Sequence, residues 1–158
     1  MKKRSNQGFT LIEVLLVVAI IAILAGIVIL AINPTKQLAD TRNTQRRSDV
    51  ATILNAVYQY AIDNNGTFPS EIDSNTGGVQ VLGTQNTACD GICGSNVSTV
   101  SCADMASKLV PKYIIEVPKD PKTGTTGITK YYINKDSGNR ITVGACEPEE
   151  GATISVSR

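Results

Sequence analysis

Residues 14–32 are nineteen positions in a row without one polar side chain. At 1.5 Å per residue the run spans about 28 Å, close to the hydrocarbon thickness of a bilayer. A carboxylate, Glu13, stands at its entrance, and Lys2, Lys3 and Arg4 precede it. Further on, Val50, Ile53, Leu54, Val57, Tyr60 and Ala61 recur at intervals of three and four. That spacing predicts an amphipathic helix laying one face on a globular core. "DNNG" at 63–66 ends it, with Asn and Gly suited to a left-handed C-cap. Residues 65–101 are polar and turn-rich, a long connection of the kind that carries functional surface loops. A short helix is expected over 103–109, stopped by Pro111. "YYINK" and "RITVGAC" flank a turn at 135–139 containing Gly138, which predicts a hairpin, and "ATISVS" reads as a last strand. The expected fold class is α+β: a long N-terminal helix, transmembrane in its first half and amphipathic in its second, packed on a small antiparallel sheet.

Pro34 interrupts the helical pattern. It lacks a backbone donor and disfavours helix at Asn33. Either the helix continues with a kink, or Asn33 caps a second helix with Pro34 at its first position. Gly26 is a second weak point, about 1 kcal/mol relative to alanine. Asp40, Arg42, Arg46, Arg47 and Asp49 fall on the more polar part of the second helix, which reads as a solvated face. Asp49 is three residues from Arg46 and is expected to pair with it.

Composition narrows the function. The net charge is +1, so no whole-protein field draws the chain to nucleic acid or acidic lipid. There is no histidine, which removes the commonest general base and transition-metal ligand. No nucleophile motif or phosphate-binding glycine loop is present, so no catalytic residue, metal ligand or cofactor site is assigned and an enzyme is not expected. The four cysteines, Cys89, Cys93, Cys102 and Cys146, lie beyond the apolar run. An even count in a small polar region points to disulfides in an oxidising compartment. Their spacing lacks the C-x2-C knuckle of a zinc site. The expected pairing is Cys102–Cys146 across the domain and Cys89–Cys93 closing a small loop.

The apolar run is too long for the core of a cleaved secretory signal, and "LAINPTK" offers no small-x-small cleavage site. A plain membrane anchor would fit the length and the basic start, but it would be better without Glu13. "KKRSNQGFTLIEVLLVVAIIAIL" resembles the N-terminus of type IV prepilins and type II secretion pseudopilins: a short basic leader ending in Gly, then Phe, then an apolar run with Glu as the fifth mature residue. Gly8, Phe9 and Glu13 hold those positions. The likeness covers about 25 residues; beyond them the chain agrees with the family in layout.

The resemblance implies cleavage by a prepilin peptidase between Gly8 and Phe9 and methylation of the new Phe9 amine. It implies that Glu13 meets the N-terminal amine of a neighbouring subunit in a helical bundle. Gly26 and Pro34 would bracket a stretch that loses helix in the filament, as a Gly–Pro pair does in relatives. The segments would be a leader (1–8), a transmembrane assembly helix (9–33), an amphipathic half (34–64) and a disulfide-stapled head (65–158). The implied partners are further copies of the chain, other pilins, the peptidase and an inner-membrane assembly platform. Before assembly the chain would cross the cytoplasmic membrane once, leader inside and head outside; afterwards it would stand in an extracellular or periplasmic filament. The function implied is structural, a pilus or pseudopilus-like subunit, with a type II secretion pseudopilin or a minor pilin for adhesion or DNA uptake as alternatives. For DNA, Tyr113, Tyr131 and Tyr132 lie in sequence near Lys108, Lys112, Lys119, Lys122 and Lys130; tyrosines on a sheet more commonly serve core or interface. "EPEEGATISVSR" lacks the aspartate series of the calcium loop usual in major pseudopilins, and Asp120 and Asp136 are expected as isolated turn residues.

Overall fold

The computed structural model describes residues 8–73, 78–87, 89, 93 and 102–158. The chain divides into two compact units, Met1–Gln37 and Leu38–Arg158.

In the first unit, helix α1 runs from Leu11 to Ala31. Its 21 residues are long and apolar enough to cross a membrane, and none is buried. Gly26 lies inside α1, and a Cβ there would meet nothing within 4 Å. The helix ends at Ile32, whose backbone turns to an extended conformation. Helix α2, Pro34–Asp63, starts immediately after Asn33. The Asn33 carboxamide oxygen accepts from the Thr35 hydroxyl (2.6 Å) and the Lys36 N–H (3.3 Å). Of the two outcomes open at Pro34, the cap is the one found: asparagine satisfies the orphan donors of the first turn, and proline has no N–H to satisfy.

In the second unit, α2 is followed by β1 (Gln80–Val81), α3 (Ala106–Leu109), β2 (Tyr131–Lys135), β3 (Ile141–Ala145) and β4 (Ser155–Ser157). The four strands form one antiparallel sheet in the order β1-β2-β3-β4. Register puts Tyr131 opposite Ala145, Ile133 opposite Val143 and Lys135 opposite Ile141. Alternation then sends Tyr131, Ile133, Ile141, Val143 and Ala145 into one core with Val50, Ile53, Leu54 and Val57 of α2. On the opposite face Tyr132 lies over Gly144, where any Cβ would collide with the ring. Asp136 serves its turn as expected, accepting from the N–H groups of Gly138 (2.8 Å) and Arg140 (2.9 Å). The C-cap of α2 is the predicted one: Asn65 is left-handed (φ 55°) and Gly66 follows (φ 82°).

Two expectations about the middle of the chain are corrected. The third helix begins at Ala106 rather than 103, because Ala103 is held in a parallel bridge with Leu82. The disulfides are Cys89–Cys102 and Cys93–Cys146, not Cys102–Cys146 and Cys89–Cys93. The same bridge explains the change: it draws 102–103 alongside 82–85, where the Cys102 N–H donates to the Gln85 carbonyl at 2.9 Å. That carbonyl also lies 4.0 Å from the Cys89 sulfur, so Cys102 meets Cys89 locally. Cys93 is left to reach Cys146 at the end of β3.

Candidate functional site

The N-terminal site is built by a cap. Gly8, Phe9 and Thr10 are non-helical and exposed. Thr10 is extended (φ −78°, ψ 149°), and its hydroxyl accepts from the Glu13 N–H at 3.3 Å. The helix therefore starts at Leu11, two residues beyond Phe9, and the Gly8–Phe9 junction stays in open chain. Glu13 sits in the first turn, where the positive end of the helix dipole favours a carboxylate. Phe9, Glu13, Val14, Val17 and Val18 line one shallow hollow, so the carboxylate is set into an apolar face. Phe9 is 83% exposed. Among the described residues no cation is paired with Glu13; the basic residues 2–4 lie outside them.

In the second unit, Asp40 and Arg47 are exposed as expected, but the rest of the face read as solvated is built into a largely buried ionic lock. Arg46 has no exposed surface and makes a bidentate pair with Asp120 (Nε–Oδ2 2.6 Å, Nη2–Oδ1 3.1 Å). Its Nη1 donates to Glu149 and to Asn43, each at 3.0 Å. Arg42 grips Glu149 with two further bonds, 2.6 and 2.8 Å, and Lys122 adds a third cation at 2.9 Å. Asn43 exchanges two bonds with the Glu149 backbone. Asp120 is thus the anchor of a lock rather than an isolated turn residue, although it also receives the N–H groups of Lys122 and Thr123 at 2.9 and 3.1 Å. The expected Arg46–Asp49 pair gives way to this arrangement. Asp49 accepts instead from the Tyr131 hydroxyl and from Gln45, both at 2.7 Å.

Burial by itself would raise the Asp120 carboxyl, but the bonds from Arg46 and from the Lys122 and Thr123 backbone outweigh it and hold the group below its ordinary 3.8. Arg42 and Lys122, then Arg46, hold Glu149 well below 4.5. A carboxylate depressed in the folded state contributes stability that is complete above its unfolded pKa and is lost as pH falls through the folded one. The thermal midpoint of the head in detergent-solubilised chain is therefore expected to hold down to about pH 4.5 and to drop steeply below it. Circular dichroism melts between about pH 2 and 6 check this; a midpoint unchanged at about pH 2.5 would contradict it.

The lysines that border the tyrosines do not form a free basic stripe. Lys108 pairs with Glu71, Lys112 with Asp63, Lys119 with Glu116, Lys122 with Glu149 and Lys130 with Glu147. Tyr131 is buried in the core, and the Tyr113 hydroxyl donates to Asp63 at 2.9 Å. Among the described residues no group of three or more His, Cys, Asp or Glu is placed to hold a metal ion.

Comparison with known proteins bears on the first of these two sites. Residues 3–29 match the prokaryotic N-terminal methylation motif. The chain is similar to type II secretion system core protein G of Aeromonas hydrophila, 40% identical over 65 residues, which is 41% of this chain and 44% of that protein. The Vibrio cholerae protein of the same name is 38% identical over 64 residues, 40% of this chain and 42% of that protein. The Klebsiella michiganensis one is 34% identical over 65 residues, 41% and 44% of the two chains. The matched stretch spans less than half the length of these relatives. No solved structure matches the chain. The non-helical Gly8–Phe9 junction, the capped helix and Glu13 in its first turn all fall within the stretch that matches the prokaryotic N-terminal methylation motif.

Proposed function

We propose that the chain is a structural subunit of a type IV pilus or pseudopilus-like filament, assembled through α1 after removal of residues 1–8. The observation that carries this reading is an uncovered helix, apolar but for the carboxylate in its first turn, that starts two residues beyond an open Gly-Phe junction. A lone carboxylate in an apolar face is costly, and so is a lone buried ammonium; pairing between two copies removes both penalties. Glu13 then rewards assembly in register, with the Phe9 amine of the neighbour as counter-charge. The chain acts as a building block, not a catalyst. Other pilins, the prepilin peptidase and an inner-membrane assembly platform are its partners, and its head stands outside the cytoplasmic membrane that α1 crosses. Segment 9–33 serves anchoring and assembly, 34–64 carries the amphipathic half, and 65–158 is the stapled head. Gly26 and Pro34 bracket the part of the helix that loosens most readily on assembly, since glycine costs about 1 kcal/mol of helix and proline removes a donor.

Intact-mass measurement of protein taken from filaments tests the processing step. The expected mass is that of a chain beginning at a methylated Phe9 with two disulfides. A chain still beginning at Met1, or one cut after Ile32, would contradict the reading.

A further inference from the structure

We propose that Asn65 is an acceptor for N-linked glycosylation, its side-chain amide presented by the turn that closes α2. Asn65-Gly66-Thr67 has the acceptor pattern, asparagine followed two residues later by a hydroxyl with no proline between. The backbone of the turn is fixed by the Gly66 N–H, which donates to the Ala61 carbonyl at 2.7 Å, and by the Thr67 N–H, which donates to Asn64 at 3.0 Å. Residues 62–67 are all exposed.

The neighbours of Asn65 are engaged. The Asn64 carboxamide donates to the Tyr60 carbonyl at 2.7 Å, and Asp63 receives Lys112 and Tyr113 at 2.6 and 2.9 Å. Phe68 is packed edge-on against Tyr58, ring centroids 5.5 Å apart. Between these fixed points the Asn65 amide and the Thr67 hydroxyl make no side-chain hydrogen bond among the described residues. A Cβ built on Gly66 would meet nothing within 4 Å, so the flank of the turn is open to a bulky group. Capping accounts for a left-handed residue at position 65, but glycine meets that need with less strain, and capping requires neither a free amide nor a hydroxyl at position 67. The disulfides put the head in an oxidising compartment outside the cytosol, where exported chains carry such sugars.

The transfer needs an activated donor, a glycan carried on a lipid diphosphate. The bond between the Asn65 Nδ2 and the anomeric carbon forms as the bond from that carbon to the phosphate oxygen breaks. The diphosphate leaves with the electron pair, and one amide proton passes to a base of the transferase. Nothing is oxidised or reduced.

Mass spectrometry of the protein isolated from the cells that make it tests the proposal. Asn96-Val97-Ser98 has the same pattern and lies outside the described residues, so the digest must cut after Glu71 to separate the two. The peptide bearing Asn65 is expected to carry a glycan mass increment located on that residue by fragmentation. Asn65→Asp keeps a residue that tolerates the left-handed turn yet lacks the amide, and it should lose the increment without loss of the Cys93–Cys146 peptide pair. Thr67→Val should lose the increment as well, and Thr67→Ser should keep it. A wild-type Asn65 peptide found wholly at its unmodified mass, beside an intact Cys93–Cys146 pair, overturns the proposal and leaves the filament reading untouched. An increment that survives in Asn65→Asp overturns it too.

Discussion

Glu13→Gln is expected to leave the subunit folded and in the membrane while nearly abolishing filaments. Removing the charge makes the N-terminal turn more apolar, so insertion should if anything improve. Leu38–Arg158 is a separate compact unit and should keep its melting temperature. Assembly is where the loss falls. The neighbour's Phe9 ammonium would be buried without its counter-charge, and breaking one side of such a pair typically costs about 3–5 kcal/mol. That penalty recurs with every subunit added, so membrane-bound protein should accumulate as filaments disappear. Glu13→Asp, which keeps the charge but shortens the reach, should fall between. Quantifying sheared filaments against membrane-retained protein checks this. Normal filament yield from Glu13→Gln would mean that the carboxylate serves only the first turn of α1.

The second large effect belongs to the head. Arg46→Met is expected to destabilise it by about 3–5 kcal/mol, because Asp120 stays buried while its bidentate partner is gone. For a unit of this size that corresponds to a fall of about 10–20 °C in the melting temperature. Arg46→Met combined with Asp120→Leu should cost less than the two single changes added together, since the stranded charge is removed with its partner. Thermal melts of the three variants in detergent decide it. A fall of under about 1 kcal/mol in Arg46→Met would place the arginine among ordinary surface ion pairs.

The sequence disclosed the apolar half of α2 and concealed the polar half, for one physical reason. The buried positions of α2 run 39, 43, 46, 49, 50, 53, 54, 56, 57 and 61, one stripe with helical spacing. Its second part is valine, isoleucine, leucine and alanine, which hydrophobic periodicity detects. Its first part holds Asn43, Arg46 and Asp49, which the same measure scores as solvent-facing. Continuing the Val50–Ile53–Val57 stripe backward lands on Arg46 and Asn43, and that register was the available signal. The partners were not available in this way. Asp120 and Glu149 are 74 and 103 residues from Arg46 in the chain, and local spacing carries no information about such contacts. Cysteine pairing failed for a similar reason. It depended on the Leu82–Ala103 bridge, an isolated non-local contact made just beyond β1, a strand only two residues long. By contrast the Asn33 cap, the Asn65 turn and the hairpin at 135–139 rest on chemistry within a few residues, and all three stand where the local pattern put them. The N-terminal site was the most legible part, because its motif and helix start are contiguous.

Electron cryomicroscopy of filaments released from cells making this chain tests the central claim most directly. The account predicts a filament in which α1 of each copy is packed among its neighbours and the Glu13 carboxylate lies within hydrogen-bonding reach, about 3 Å, of the Phe9 amine of an adjacent copy. Filaments that lack this chain, or that hold it with Glu13 facing solvent and distant from any amine, would contradict it.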